Sequence, residues 1–220
     1  MMVIVFNFWQ LILKGGPMMW PILVLSMVAL AVGMERIKFL SSAETLIKEH
    51  KSHLMRSLRH DGIKKTLTLC ESYSSAFSRM FKAGILRFGN SSEVIRTSME
   101  EVLVYEIHRL KERMSILSFI MNASVLVGLL GTVIGLTVVF HAISARSNVL
   151  NPLSVGEMSA GIWQALFTTI AGLVVGIFSY SFYSFCVVRI NNVIADLQLS
   201  MVQTLQALVQ LAEFNQTGKE

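Results

Sequence analysis

Charge is what this sequence has too little of. Of its 220 residues, 15% are Asp, Glu, Lys or Arg and 53% are apolar, whereas a soluble globular domain carries about 25% charged residues. The shortfall is not evenly spread. No charged side chain occurs from Gly15 to Met34, from Met114 to Ala145 or from Met158 to Val188, which gives stretches of 20, 32 and 31 residues. About 20 apolar residues in a helix, rising about 1.5 Å each, cross a bilayer. Each stretch is long enough to do so, and the composition argues against a soluble enzyme. Cysteine is scarce too: Cys70 and Cys186 lack the spacing of a disulfide framework or a zinc site and read as packing residues. The five histidines form no HExxH or Cys/His cluster, so no metal is implied. The glycine motifs of phosphate loops, dinucleotide sites and nucleophile elbows are also missing. Nothing on the chain points to catalysis, nucleotide hydrolysis or a cofactor.

The charges that are present are concentrated. Of the 19 Lys and Arg, 15 lie between Arg36 and Arg113, and the segment joining the second and third stretches holds only Arg146. By the positive-inside rule, residues 36–113 are cytoplasmic. Three crossings then put the N-terminus and the 146–157 loop outside and the C-terminus, with Arg189 and Lys219, inside. The net charge of +5 is therefore an orientation signal. It is not a nucleic-acid patch, because the basic region interleaves ten acids, Glu35 included, and has no basic aromatic cluster. A cleaved signal peptide is a poor fit: thirteen mostly apolar residues precede Lys14, and Glu35-Arg36 directly follows the first apolar stretch. Residues 1–14, with Phe6, Phe8 and Trp9, read as an amphipathic helix on the outer leaflet surface.

The expected fold is all-α and membrane-integral, with transmembrane helices at 15–35, 114–145 and 158–188. A cytoplasmic helical region at 36–113, an outer loop at 146–157 and a cytoplasmic C-terminal helix at 189–220 complete it. Asp61-Gly62 and Gly89-Asn90 break the cytoplasmic region, and Asn90 with Glu93 three residues later resembles a capping box. From Glu93 there is no Pro or Gly until Gly128, and Val94, Met99, Val102, Leu103, Ile107, Leu110 and Met114 recur at helical spacing. That pattern predicts one helix running from the cytoplasm into the membrane. Ile190, Val193, Ile194, Leu197, Met201, Leu205 and Leu208 likewise extend the third membrane helix well past Arg189.

Small residues form stripes on two of these helices. At 100° per residue, Ser124, Gly128, Gly131, Thr132, Gly135 and Ala142 fall within an arc of about 100°. Gly161, Ala165, Thr168, Thr169, Gly172, Gly176 and Ser179 share a similar arc on the third helix, with Gln164 at its edge. Small residues let helices approach closely in lipid, where packing replaces the hydrophobic drive. Thr132 and Thr169 add hydroxyls deep within uncharged spans. Ion and proton relays normally use ionisable groups in the membrane, and a threonine hydroxyl does not titrate near neutrality. A proton moved here must ride on a carboxylate from another polypeptide.

The residues also carry a resemblance. Gly128-Leu-Leu-Gly-Thr-Val-Ile-Gly135 and Gly161-Ile-Trp-Gln-Ala-Leu-Phe-Thr-Thr-Ile-Ala-Gly-Leu173 resemble the two signature helices of the MotA/TolQ/ExbB proton-channel family. Gly16-Pro-Met-Met-Trp-Pro-Ile-Leu23 through Glu35-Arg36 is similar to its first span. Three spans with one large cytoplasmic region resemble the ExbB/TolQ branch. The resemblance implies a bacterial inner-membrane pentamer around two copies of a single-span ExbD/TolR-like partner, whose membrane aspartate carries the proton that drives work in the cell envelope. It matches Thr132 and Thr169 to the family's two pore-lining threonines, and Thr168 and Gln164 beside them complete the candidate ion pathway. The stripes themselves give Gly128, Gly131, Gly135, Ala165, Gly172 and Gly176 helix-packing and partner-facing positions. Two departures stand out: Gln164 occupies a place where the branch commonly carries glutamate, and Val125 one where proline is common. A passive membrane scaffold, anchoring a partner without conducting ions, is the alternative that the glycine stripes fit equally well.

Overall fold

The computed structural model describes residues 15–146 and 154–217, with side chains through Glu213. The expected surface helix at 1–14 and most of the 146–157 loop lie outside the described residues. All regular structure among the described residues is helical: α1 Met19–His60, α2 Gly62–Ser72, α3 Ala76–Leu86, α4 Ser92–Lys111, α5 Met114–Arg146 and α6 Val155–Thr217. The chain divides into two units, the first of Met1–Met34 and Arg113–Ser184, the second of Glu35–Glu112 and Phe185–Glu220. The division follows the charge: the first unit holds the first two uncharged stretches and the third as far as Ser184, and the second opens at Glu35-Arg36.

Two of the expected breaks are present. Gly62 and Gly89 take φ of 78° and 91°, a left-handed conformation that glycine adopts without steric cost. A third break, at Tyr73–Ser75, has no Gly or Pro to announce it. Its signal is Ser75, which caps α3 by accepting the Ser78 backbone N–H at 3.2 Å. Two expectations need correction. The residue capping α4 is Ser91, which makes no side-chain cap bond, so Asn90 and Glu93 do not form a capping box. Nor does one helix run from Glu93 into the apolar stretch. α4 stops at Lys111, and Arg113 takes φ 62° before α5 begins. Lys111, Glu112 and Arg113 are all exposed, and these consecutive charges interrupt the apolar stripe. His108, Arg109 and Lys111 in the last turn of α4 also suit the negative end of a helix dipole.

The expected continuation past Arg189 is present, in a single α6 of 63 residues. Its start is a reciprocal capping box. The Glu157 N–H donates to Ser154 Oγ at 3.2 Å, while Glu157 Oε2 accepts the Ser154 N–H at 3.0 Å. That backbone N–H holds the Glu157 carboxyl below the usual range. The cap is therefore complete above the ordinary carboxylate range and is lost as pH falls through the lowered value.

In the first unit the apolar helices are mostly uncovered. Among the described residues, two helical stretches are long and apolar enough to cross a membrane: Ser92–Arg146, interrupted at Glu112–Arg113, and Val155–Glu213. Only 17% and 22% of their most apolar windows are buried, whereas the core helix of a soluble protein would be mostly buried. Phe119, Leu126, Val133, Trp163 and Ile177 lie exposed along them. Apolar surface on this scale belongs in lipid, and the chain is a membrane protein. The helical part of the first uncharged stretch, Met19–Met34, is shorter, and it too exposes Trp20, Met27 and Leu30.

The second unit has a conventional core. Leu40 and Leu54 of α1, Phe77 and Phe81 of α3, Met99 of α4 and Leu197 of α6 are fully buried. On α6 the buried stripe runs through Ile190, Val193, Leu197, Met201 and Leu208, but Ser200 and Thr204 complete it rather than Leu205. Polar residues are tolerated there because both hydroxyls bond back to their own helix, Thr204 to the Ser200 carbonyl at 2.8 Å and Ser200 to the Asp196 carbonyl at 2.6 Å. Cys70 is buried and free, and burial pushes its thiol up to about 11, which leaves it inert near neutrality.

Among the described residues, Glu106 is a buried carboxylate, and it is held in an ion pair whose arginine is partly exposed. Arg79 of α3 donates through Nε and Nη2 to the two carboxylate oxygens of Glu106 on α4, at 2.5 and 2.7 Å. The Glu106 side chain is 3% exposed. Removing one partner strands a charge. Arg79→Ala is expected to destabilise the protein by about 3–5 kcal/mol, while replacing both residues with well-packed apolar ones restores most of that. Equilibrium unfolding of the single and double variants checks it.

Candidate ion-pathway site

The glycines of the two stripes face each other within one chain. A Cβ on Gly172 would lie 2.5 Å from the Ser124 carbonyl oxygen and 2.8 Å from Gly128 Cα, and one on Gly128 would lie 3.1 Å from Gly172 Cα. Along the same seam Gly131 makes room for the Thr168 side chain, Gly135 for Ala165 and Gly176 for Val125. The six small residues expected to pack helices and face a partner therefore pack α5 on α6, leaving a partner to meet the neighbouring side chains.

Thr132 and Thr169 stand at one edge of this seam, both half-buried. Their hydroxyl oxygens are 3.4 Å apart. The Thr169 hydroxyl donates to the Gly128 carbonyl at 2.9 Å across the seam, and the Thr132 hydroxyl donates to the Leu129 carbonyl at 2.6 Å within α5. Each thus spends its one proton on backbone and keeps lone pairs for an incoming donor. Leu129 and Leu136 lie three residues before and four after Thr132, Leu166 and Leu173 likewise around Thr169, and all four are exposed. At that spacing they share the threonines' face. The pair is a polar spot on an open apolar wall.

Thr168 and Gln164 lie elsewhere. About 100° per residue puts them roughly 100° and 140° around α6 from Thr169, Thr168 inside the seam against Gly131 and Gln164 beyond it. Thr168 is buried, with its hydroxyl donating to the Ala165 carbonyl at 2.7 Å. The Gln164 amide lies against Gly16, whose φ is 74°, and occupies the space a Cβ there would need. Both line a cavity of about 230 Å³ closed by Gly15, Pro17 and Met18 with Gly131, Gly135 and Ala165. The structure thus joins Thr132 to Thr169 and Thr168 to Gln164, but does not bring all four together. The Gly15–Met18 turn is a wall that the sequence reading missed, although Gly15-Gly16-Pro17 was its signal. Among the described residues no three His, Cys, Asp or Glu side chains converge as metal ligands would.

Residues 72–199, which include the Thr132–Thr169 pair and most of α5 and α6, match the MotA/TolQ/ExbB proton channel family. A putative biopolymer transport protein ExbB homolog of Methanothermobacter thermautotrophicus is 26% identical over 201 residues, covering 89% of this chain and 70% of its own. A putative biopolymer transport protein ExbB-like 1 of a Synechocystis species is 31% identical over 169 residues, 76% of this chain and 65% of its own. Biopolymer transport protein exbB1 of Vibrio cholerae is 25% identical over 171 residues, 76% and 74%. The chain thus spans between 65% and 74% of the length of these relatives. A seam of glycines joining two lipid-facing helices, with two hydroxyls at its edge, lies inside the matched region, and the chain belongs to the MotA/TolQ/ExbB proton channel family, with relatives of the ExbB type.

Proposed function

We propose that this protein is the ring-forming subunit of an inner-membrane motor, a pentamer that couples proton flow to movement of a single-span ExbD/TolR-like partner and so to work in the cell envelope. In this reading three spans, at 15–35, 114–145 and 158–188, leave the N-terminus outside and residues 36–113 and the C-terminus in the cytoplasm, as the basic excess of 36–113 favours. The observation that supports this reading best is the Thr132–Thr169 pair, set on an exposed apolar wall in a layer that contains no Asp, Glu, Lys or Arg of its own. A partner carboxylate in that layer is costly when ionised and unpaired, by several kcal/mol, and so protonates or finds hydrogen-bond donors. The two hydroxyls serve both forms. While bonded to the Leu129 and Gly128 carbonyls they accept from a protonated acid, and on rotating away from those carbonyls they donate to the ionised one. The potential supplies roughly 2.3 kcal/mol per proton per 100 mV. Gln164, on the far side of the seam, steadies the Gly15–Met18 turn and stays out of the proton's path.

Proton flux into liposomes holding the chain and its partner tests this. Flux is expected with the wild-type pair and is expected to vanish when the partner's membrane aspartate becomes asparagine. Flux that survives the substitution, or none from the wild-type pair, sinks the motor and favours the scaffold, which the intrachain glycine seam also fits.

A further inference from the structure

The second unit contains a cavity that ion coupling does not use. It holds about 220 Å³ and lies between α1, the turn into α3, and α4. Its floor is apolar, with Ala43, Ile47 and Leu110, and its rim carries exposed Phe39 and Leu46. Three charged side chains line it: Arg79, Arg109 and Glu106. Both oxygens of Glu106 are committed to Arg79, so that pair is neutral and its guanidinium is held in place. Arg79 Nη1 donates once, to the Ser74 carbonyl at 2.8 Å. Each terminal nitrogen of a guanidinium carries two hydrogens, so Arg79 keeps donors to spare. Arg109 is exposed, and among the described residues no acid pairs with it. The cavity therefore has one uncompensated positive charge, beside the exposed hydroxyls of Ser42 and Ser74.

We propose that this cavity binds a phosphate group, held by Arg109 and the spare edge of Arg79, with the apolar part of the same molecule against Phe39 and Leu46. A forked guanidinium beside a second one suits phosphate, which accepts several charge-assisted hydrogen bonds at once. The apolar rim disfavours a fully hydrated anion and favours an amphiphile. In sequence, Phe39 and Leu46 follow Arg36, the first cation after an uncharged stretch, by three and ten residues, and Arg109 precedes the next such stretch by five. That puts the lining residues close to where chain and bilayer surface part. A lipid headgroup and a free phosphate share this chemistry, and occupancy would brace α1 against α3 and α4 whichever is bound. The proposal does not depend on the ion-coupling reading.

The test uses the full chain in a neutral detergent. Thermal unfolding is followed with short-chain phosphatidylglycerol, with inorganic phosphate and with short-chain phosphatidylcholine, for wild type, Arg109→Gln and Arg96→Gln. Arg96 is also exposed, but it already pairs with Glu100 at 2.8 Å and does not line the cavity. The expected result is a concentration-dependent rise in the unfolding midpoint of wild type and Arg96→Gln, with at least tenfold more ligand needed by Arg109→Gln. A response to phosphatidylglycerol alone assigns the site to a lipid headgroup, and a response to inorganic phosphate assigns it to a soluble phosphate. No response to either ligand, or equal weakening in the two arginine variants, overturns the proposal.

Discussion

Gly172→Val is expected to prevent the membrane unit from forming, while Gly161→Val is tolerated. Both are helical glycines of α6 on the face toward α5, and a wheel treats them alike. What differs is the obstacle that a side chain would meet. At Gly172 it is the Ser124 carbonyl oxygen at 2.5 Å and Gly128 Cα at 2.8 Å, both backbone, and neither can rotate away. The helices would have to part, and with them the Thr169 bond to the Gly128 carbonyl and the seating of Thr168 on Gly131. Overpacking costs about 1–3 kcal/mol where neighbours can shift, and here the separation adds lost packing along the seam, which in lipid is most of what holds helices together. At Gly161 the obstacle is the Val139 side chain, with no backbone atom close by, and a side chain can shift where backbone cannot. Folded yield in detergent and the unfolding midpoint of the two variants separate these outcomes. A stable Gly172→Val protein would show that α5 and α6 do not approach this closely.

Much of this was legible in the sequence because it depends on composition and period. The uncharged stretches gave the lipid-facing helices, Gly62 and Gly89 gave two breaks, and small residues at helical spacing gave the seam. What was not legible depends on which face meets which. A stripe of small residues says that something comes close, without saying whether it is another chain or another part of the same one. Gln164 is at the edge of an arc, and the roughly 140° between it and Thr169 points it to the far side. The end of α4 was hidden by a long run without Pro or Gly. The helix ends at Lys111 all the same, because the consecutive charges of Lys111–Arg113 can leave it for solvent at no hydrophobic cost, and Arg113 turns left-handed there. An apolar stripe points to Leu205, yet Thr204 is the buried residue, because a hydroxyl that bonds its own helix is nearly apolar to its surroundings. The Ser154–Glu157 box has the same three-residue spacing as Asn90 and Glu93, and only the first pair closes it.

Thr132→Val and Thr169→Val are each expected to lower proton-driven activity by at least about tenfold and leave a folded, assembled protein. Valine keeps the shape of threonine. Losing the Thr169 hydroxyl removes one bond to a carbonyl that belongs to a helix, worth about 0.5–1.5 kcal/mol of stability, whereas a hydrogen bond to an ionised carboxylate is worth about 1.5–3 kcal/mol. Every 1.36 kcal/mol missing from a rate-limiting step slows it tenfold, so the deficit falls on turnover more than on folding. Thr168→Val separates a hydroxyl effect from a packing effect. Its hydroxyl donates to the Ala165 carbonyl and it is buried inside the seam against Gly131, away from the open face, so activity should stay within about twofold of wild type. Serine at 132 or 169 keeps the hydroxyl and should restore most of the activity that valine removes. Proton uptake by proteoliposomes, with unfolding midpoints measured on the same preparations, reads all of these variants. Equal losses at 168 and 169 would mean that the seam needs shape rather than hydroxyls, and the open apolar face would then lose its claim to the proton.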